Sequence, residues 1–338
     1  MSTIYNPSST EKFSEAKIIN GNPNGIINFN DTPHKWAVSI YNLMGQYTWF
    51  TKECGLAQDK TAYANGTDSQ RYTYDMALAQ LITNDSVQTK QLVDSIAGII
   101  TSPVVNACID RQAYEESLHS QTYSVAADEV CQDSNRIYTL YETEPALARK
   151  NNAVAAMYEK INQEGTSLTD QEKLLAFVAN QILEELVFPG GFIALWSLGW
   201  AGTCKAISFI ERDESGTHVP LFKNIFNTAV RQVDITDNTV KTALSMITHM
   251  AEEEKIWTKH ITKGSLGFSD KAIDLLVEHK ANSVCTNLRL PLQYAQTDGG
   301  PLMAIHDNYS MLSKSKTKSN FFEVPVGDYA IGGLDEDY

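Results

Sequence analysis

Apolar residues recur at three- and four-residue intervals along most of this chain, the repeat of helices that bury one face. The pattern predicts helices over residues 35–50, 72–100, 103–131, 145–163, 168–187, 192–210, 213–231, 236–260 and 268–288. Alternation with a period of two, the mark of a half-buried strand, is scarce. Ahead of one apolar run, Ser167-Leu168-Thr169-Asp170-Gln171-Glu172 supplies helix-start chemistry, with Ser167 or Thr169 as the capping hydroxyl and acids in the first turn. No repeat of solenoid length is visible, so the pattern reads as an all-α bundle of long helices.

The ends of the chain break this pattern. Residues 1–34 include Asn22-Pro23-Asn24-Gly25 and read as an extended arm with turns. A helical domain is expected over 35–310. Residues 311–338 form a tail that begins with the polar, basic run Ser313–Ser319, a flexible linker by composition. Beyond it, Phe321, Phe322, Tyr329, Leu334 and Tyr338 lie among glycines and acids, too sparse to build a core but able to anchor a docking peptide.

One apolar run tests the bundle reading. Leu186 to Cys204 is uncharged for 19 residues, close to the length of a membrane span. A buried core helix has the same composition, the run contains Pro189-Gly190-Gly191, and no second span accompanies it. A core helix, with no membrane, is the expectation.

Composition narrows the function. The 338 residues are 43% hydrophobic, enough for one large core. They carry 41 acidic and 27 basic side chains, a formal charge of −14, which argues against general nucleic-acid binding. Five scattered cysteines, with no Cys-x-x-Cys pair, argue against a disulfide framework or a zinc ribbon and fit a reducing cytoplasm. The first residues have no apolar signal-peptide core.

The candidate chemistry is concentrated in Tyr114–Tyr123. On a helix Glu116 and His119 project from one face, one turn apart, and Tyr123 lies one turn further along the same stripe. A carboxylate and an imidazole so placed can grip one metal ion, with a phenol beside it. A second acid–histidine pair is Glu214 and His218, spaced by four rather than three, a difference that a one-residue helix bulge can absorb. A dinuclear carboxylate site in a bundle also needs a lone carboxylate ahead of each pair, because four carboxylates balance two divalent ions and two neutral imidazoles complete the set. Ahead of the first pair stand Asp85 and Asp94; ahead of the second, Glu184 and Glu185 open the apolar run.

At this point the chain resembles a known family, the small, radical-generating subunit of class I ribonucleotide reductase, of the ferritin-like superfamily. The resemblance rests on Asn20–Asn28 with Trp36 and Trp49, on Leu81–Gln88, on Glu116-x-x-His119-Ser120-x-x-Tyr123, on Arg212-Asp213-Glu214, and on Asn320-Phe321-Phe322-Glu323. It implies a ferritin-like bundle with a dinuclear centre in its core. It favours Asp85 over Asp94, since Asp85 precedes Glu116 by 31 residues, and Glu184 over Glu185, since Phe188 follows Glu184 by four. The implied ligands are then Asp85, Glu116, His119, Glu184, Glu214 and His218, holding two metal ions, iron first, with manganese or a mixed pair as alternatives.

The resemblance also implies that Tyr123 stores a one-electron oxidant, inside an apolar wall that includes Phe192 and Ile210. The oxidant would leave through Asp213 to Trp49 near the surface, and Tyr329 in the tail would pass it to a large catalytic subunit that reduces ribonucleotides. A homodimer is implied as well. Two departures stand out: a shortened segment between Trp196 and Arg212, and His218 displaced by one residue. A self-contained di-metal oxidase is the competing function, and it has no need of Tyr123 beside the metals or of an aromatic tail.

Overall fold

The computed structural model describes residues 5–159, 167–263 and 268–315, with side chains through residue 310. Every regular element among the described residues is helical. The long ones are α1 (Lys35–Gln46), α2 (Asp68–Gln91), α3 (Pro103–Glu129), α4 (Ser134–Thr143), α5 (Pro145–Ala156), α6 (Asp170–Ile182), α7 (Phe188–Ser197), α8 (Ala201–Asp213), α9 (Val219–Ala229), α10 (Asp237–Ile261), α11 (Asp270–Asn287) and α12 (Gly300–Ser315). Three five-residue π-turns interrupt the bundle: Leu92–Ile96 after α2, Leu183–Val187 between α6 and α7, and Glu214–His218 between α8 and α9.

Local chemistry sets the helix starts. Thr67 and Gln70 form a reciprocal capping box at α2, as do Thr169 and Glu172 at α6. Of the two expected caps, Thr169 rather than Ser167 is therefore used. Thr236 and Ser269 cap α10 and α11. At α8 the cap comes from elsewhere in the chain: the Asp59 carboxylate accepts the Gly202 and Thr203 amides at 3.0 and 2.6 Å.

Helices α2 and α3 run antiparallel, with Asp75 beside Cys131 at one end and Asp85 beside His119 further along. Their buried faces meet α6–α7 and α8–α9, and the core includes Leu78, Leu81, Phe177, Phe188, Phe192 and Ile210. The stretch Asp170–Ser197 is apolar and long enough for a membrane, but its most apolar window is entirely buried inside the bundle, so it is a core helix.

Four expectations are corrected. Helix α4 was not anticipated; only Ile137 and Leu140 are buried on it, too short a stripe to register. Helix α12 was missed because its buried positions, Leu302, His306 and Ser310, are mostly polar. The helix expected to break near Pro189-Gly190-Gly191 runs on to Ser197, and the break falls at Leu198–Trp200 instead. Helix α12 also extends to Ser315, into the segment read as linker. The tail residues Phe321, Phe322, Tyr329, Leu334 and Tyr338 lie outside the described residues.

Candidate metal centre

The six ligand candidates come from four stretches of helix. Asp85 projects from α2, Glu116 and His119 from α3, Glu184 from the second π-turn, and Glu214 and His218 from the third. None is more than 2% exposed. Four carboxylates in one dry core are costly unless positive charge meets them.

Both π-turns at the site are followed two residues later by proline, Pro189 after Val187 and Pro220 after His218. Proline has no N–H, and its ring clashes with the carbonyl four residues back in a regular helix. Widening the preceding turn places each proline in the first turn of a new helical stretch, where neither problem arises. The wide turn at Glu214–His218 is also the bulge expected from the four-residue spacing, and it aims both side chains inward.

Two sets of donor atoms lie within 4.8 Å of one another, Glu116–Glu184–Glu214–His218 and Asp85–Glu116–His119. Two carboxylates span both halves. Glu116 sets Oε1 at 3.2 Å from His218 Nδ1 and Oε2 at 3.5 Å from His119 Nδ1. Glu214 sets Oε2 at 2.9 Å from His218 Nδ1 and Oε1 at 3.2 Å from His119 Nδ1. Asp85 Oδ2 stands 3.7 Å from His119 Nδ1, and Glu184 Oε2 stands 3.5 Å from His218 Nδ1. Asp85 belongs to the His119 half and Glu184 to the His218 half.

Buried polar atoms normally find hydrogen-bond partners. Here both Asp85 oxygens, Glu116 Oε2, His119 Nδ1, Glu184 Oε2 and Glu214 Oε1 find none, and each of these residues contributes a donor atom to one or both of the two sets. Electrostatics agree. Burial, then Glu116, pushes Asp85 far above the usual carboxylate range; burial, then Glu214 and Glu116, does the same to Glu184. Burial disfavours a charge on either imidazole, yet the carboxylates around His119 and His218 raise both well above the ordinary value. Burial opposes ionisation of Glu214 too, but His218, Glu184 and His119 hold it low. The cluster draws in positive charge, and its oxygen and nitrogen donors suit a pair of divalent ions.

The sequence profile described as "Ribonucleotide reductase, small chain" matches residues 26–301. This chain belongs to that family. It is 26% identical to the ribonucleoside-diphosphate reductase subunit beta of Treponema pallidum, over 97% of this chain and 94% of the relative. The corresponding subunit of Halalkalibacterium halodurans is 25% identical over 98% and 96%. The R2 subunit from Clostridium botulinum superposes with a TM-score of 0.84 at 26% identity, covering 91% of this chain and 98% of that one. A dimanganese(II)-NrdF from Streptococcus sanguinis shares the fold, with a TM-score of 0.70 at 20% identity over 83% and 98%. A ribonucleotide reductase small chain is a subunit of an oxidoreductase, and membership implies a large-subunit partner.

In this ribonucleotide reductase subunit each histidine turns its other nitrogen to an outer carboxylate, an arrangement that fixes ring orientation. His119 Nε2 lies 3.4 Å from Asp213 Oδ2, and the same oxygen accepts the Trp49 indole N–H at 2.7 Å. Trp49 is buried, and its neighbour Phe50 is exposed. His218 Nε2 lies 3.0 Å from Glu115 Oε2. Glu115 is not among the candidates that the sequence pattern marks out.

Of the paired alternatives, Glu185 is turned away from the cluster and accepts from Gln181, Ser283 and Asn287. Asp94 pairs with Lys90 at the surface. Tyr123 is buried with its hydroxyl unpaired, and burial, then Asp85, Glu214 and Glu116, raises its pKa far above the ordinary phenol value. Phe192 and Ile210 are both buried. Tyr329 lies outside the described residues.

Proposed function

We propose that Asp85, Glu116, His119, Glu184, Glu214 and His218 hold two metal ions, iron first and manganese or a mixed pair otherwise, and that Tyr123 is the residue they oxidise. The supporting observation is the convergence of unpaired, buried donor atoms from four helical stretches on one space. When bound, the pair supplies an oxidant once it has met oxygen or a related species. Tyr123 then loses one electron and its phenolic proton to the centre, and Asp85 is the carboxylate whose charge weighs most on the phenol. Burial keeps water from the phenol and so preserves the oxidised state.

The oxidant leaves through His119, Asp213 and Trp49, whose indole proton is already shared with Asp213. Tyr329, in the C-terminal tail, carries it to the large subunit, where a ribonucleoside diphosphate is reduced to the deoxy form. Residues 311–338 serve as the docking tail and residues 1–34 as the arm of a cytoplasmic homodimer.

The test is reconstitution with Fe(II) or Mn(II) and oxygen, followed by electron paramagnetic resonance. A tyrosyl signal that disappears in Tyr123→Phe supports the reading; a protein that takes up no metal sinks it. Truncation before Asn320 is expected to abolish turnover with the large subunit and to leave the radical intact.

A further inference from the structure

Glu184 Oε1 accepts hydrogen bonds from two neutral carboxamides, Gln88 Nε2 at 2.6 Å and Gln112 Nε2 at 2.7 Å. A carboxylate oxygen offers two lone-pair sites, so Oε1 is filled. Oε2 has no partner and faces His218.

Both amides are held one way round. Gln88 Nε2 also donates to Asn180 Oδ1 at 2.9 Å, and Asn180 is oriented by its own bond to the Ala176 carbonyl at 3.0 Å. Gln88 Oε1 accepts from the Tyr158 hydroxyl at 3.3 Å. A flipped Gln88 amide would set its carbonyl oxygen against both Glu184 and Asn180 Oδ1, and its NH2 against the phenol proton. Gln112 Nε2 also reaches Glu116 Oε1 at 3.1 Å, so one amide ties a ligand candidate on α3 to another on the second π-turn. Gln88, Gln112, Asn180 and Tyr158 are at most 1% exposed, leaving bulk water no part in the network.

We propose that Gln88 and Gln112, with Asn180 and Tyr158 fixing the Gln88 amide, are positioning residues that make Glu184 a one-oxygen donor, through Oε2, to the ion beside His218. The inference rests on the cluster holding metals as read above. A glutamate in a widened turn has room to swing between one- and two-oxygen binding. The amide pair removes that freedom and leaves bridging to Glu116 and Glu214. Tyr158 takes an orienting role rather than that of a second oxidisable phenol. Its proton is given to a neutral amide oxygen, Gln88 Oε1, rather than to a carboxylate.

The test uses the full chain, Mn(II) alone and no oxidant, with Gln88→Leu, Gln112→Leu and Tyr158→Phe beside the parent. Metal uptake is followed by equilibrium dialysis, and the bound ions by Mn(II) electron paramagnetic resonance. One of the two ions is expected to bind about 10- to 100-fold more weakly in the variants, the scale for lost outer partners. Its spectrum should change as both Glu184 oxygens engage, and a crystal structure of Mn(II)-loaded Gln88→Leu should show both on one ion. Tyr158→Phe, which removes only a hydroxyl, decides the matter if either leucine variant fails to fold. Unchanged isotherms and spectra in the folded variants overturn the proposal while the metal reading stands. A parent protein that binds no Mn(II) overturns both.

Discussion

The two histidines face the centre with the same two-sided contact, yet the chain reaches that contact by different backbones. His119 stands on an unbroken helix, three residues after Glu116; His218 stands in a π-turn, four residues after Glu214. In both halves Nδ1 faces the inner carboxylates and Nε2 an outer one. Ligand spacing is thus set by the pitch of the local turn, and a Glu-x-x-x-His in a widened turn does what Glu-x-x-His does in a regular one.

The outer carboxylates are exchanged between the halves. Glu115, on the His119 helix, supports His218, and Asp213, on the helix before His218, supports His119. What lies beyond them differs. Asp213 is hydrogen-bonded to the Trp49 indole, whereas Glu115 is held by Arg111, whose guanidinium also reaches Thr48 and the Met44 carbonyl. An indole can be oxidised and a guanidinium cannot, and the exit proposed for an oxidising equivalent is accordingly drawn through the His119 half.

The largest predicted effect removes what the halves share. Glu116→Ala takes one oxygen from each side, and metal dialysis is expected to show both ions weakened beyond the roughly 100-fold typical of outer partners. Loss of only one ion would show that Glu116 does not bridge.

The next effect separates the halves. Asp213→Asn is expected to cut turnover with the large subunit on the order of 100-fold, the scale of a lost positioned proton acceptor, with the Tyr123 radical still formed. Glu115→Gln is expected to weaken one metal about 10-fold and to leave turnover per loaded centre near that of the parent. The reverse pattern in radical yield and steady-state rates would place the exit on the His218 side.

The sequence made the long helices legible, because their apolar stripes are continuous: α3 and α10 end within two residues of the expected bounds. The breaks were harder to read. Gln-x-x-Glu-Glu occurs twice, at Gln112–Glu116 and at Gln181–Glu185, and the meaning of the two glutamates is inverted. On the regular helix the second one, Glu116, faces the centre; in the π-turn the first one, Glu184, does, while Glu185 is held by Gln181. The glutamine and the two glutamates are placed identically in the two motifs, and the turn sets which glutamate faces the centre. The readable trace of that turn was a proline inside an otherwise helical pattern, Pro189 and Pro220 alike. Glu115 was hidden for a related reason: it points about 100° away from Glu116 on α3, and it is the π-turn Glu214–His218 that brings His218 to it. Gln88 and Gln112 are neutral and give no charge signal.

A mid-sized effect tests the third π-turn directly. A Cβ on Gly216 would sit 2.8 Å from the Tyr47 ring, which is pinned by the Arg212 guanidinium 4.5 Å from its centroid. Gly216→Val is therefore expected to lower stability by about 1–3 kcal/mol in a denaturant titration. The strain should move His218 more than His119, so one Mn(II) site weakens and the other holds. Equal weakening of both sites would mean that the halves are not independently supported.

The smallest effect asks whether a widened turn matters in itself. Leu92–Ile96 is a π-turn like the other two, but its acid, Asp94, pairs with Lys90 at the surface, and both side chains are largely exposed. Salt screens such a pair, and holding two mobile side chains together offsets most of its attraction. Asp94→Ala is expected to change unfolding free energy by no more than about 0.5 kcal/mol and to leave metal uptake and the radical as they are. The same geometry then has opposite consequences at Asp94 and at Glu184, because one turn opens to water and the other into a core where a carboxylate must find a cation. A marked loss of metal in Asp94→Ala would assign the site's integrity to the π-turns as backbone devices rather than to the side chains they aim.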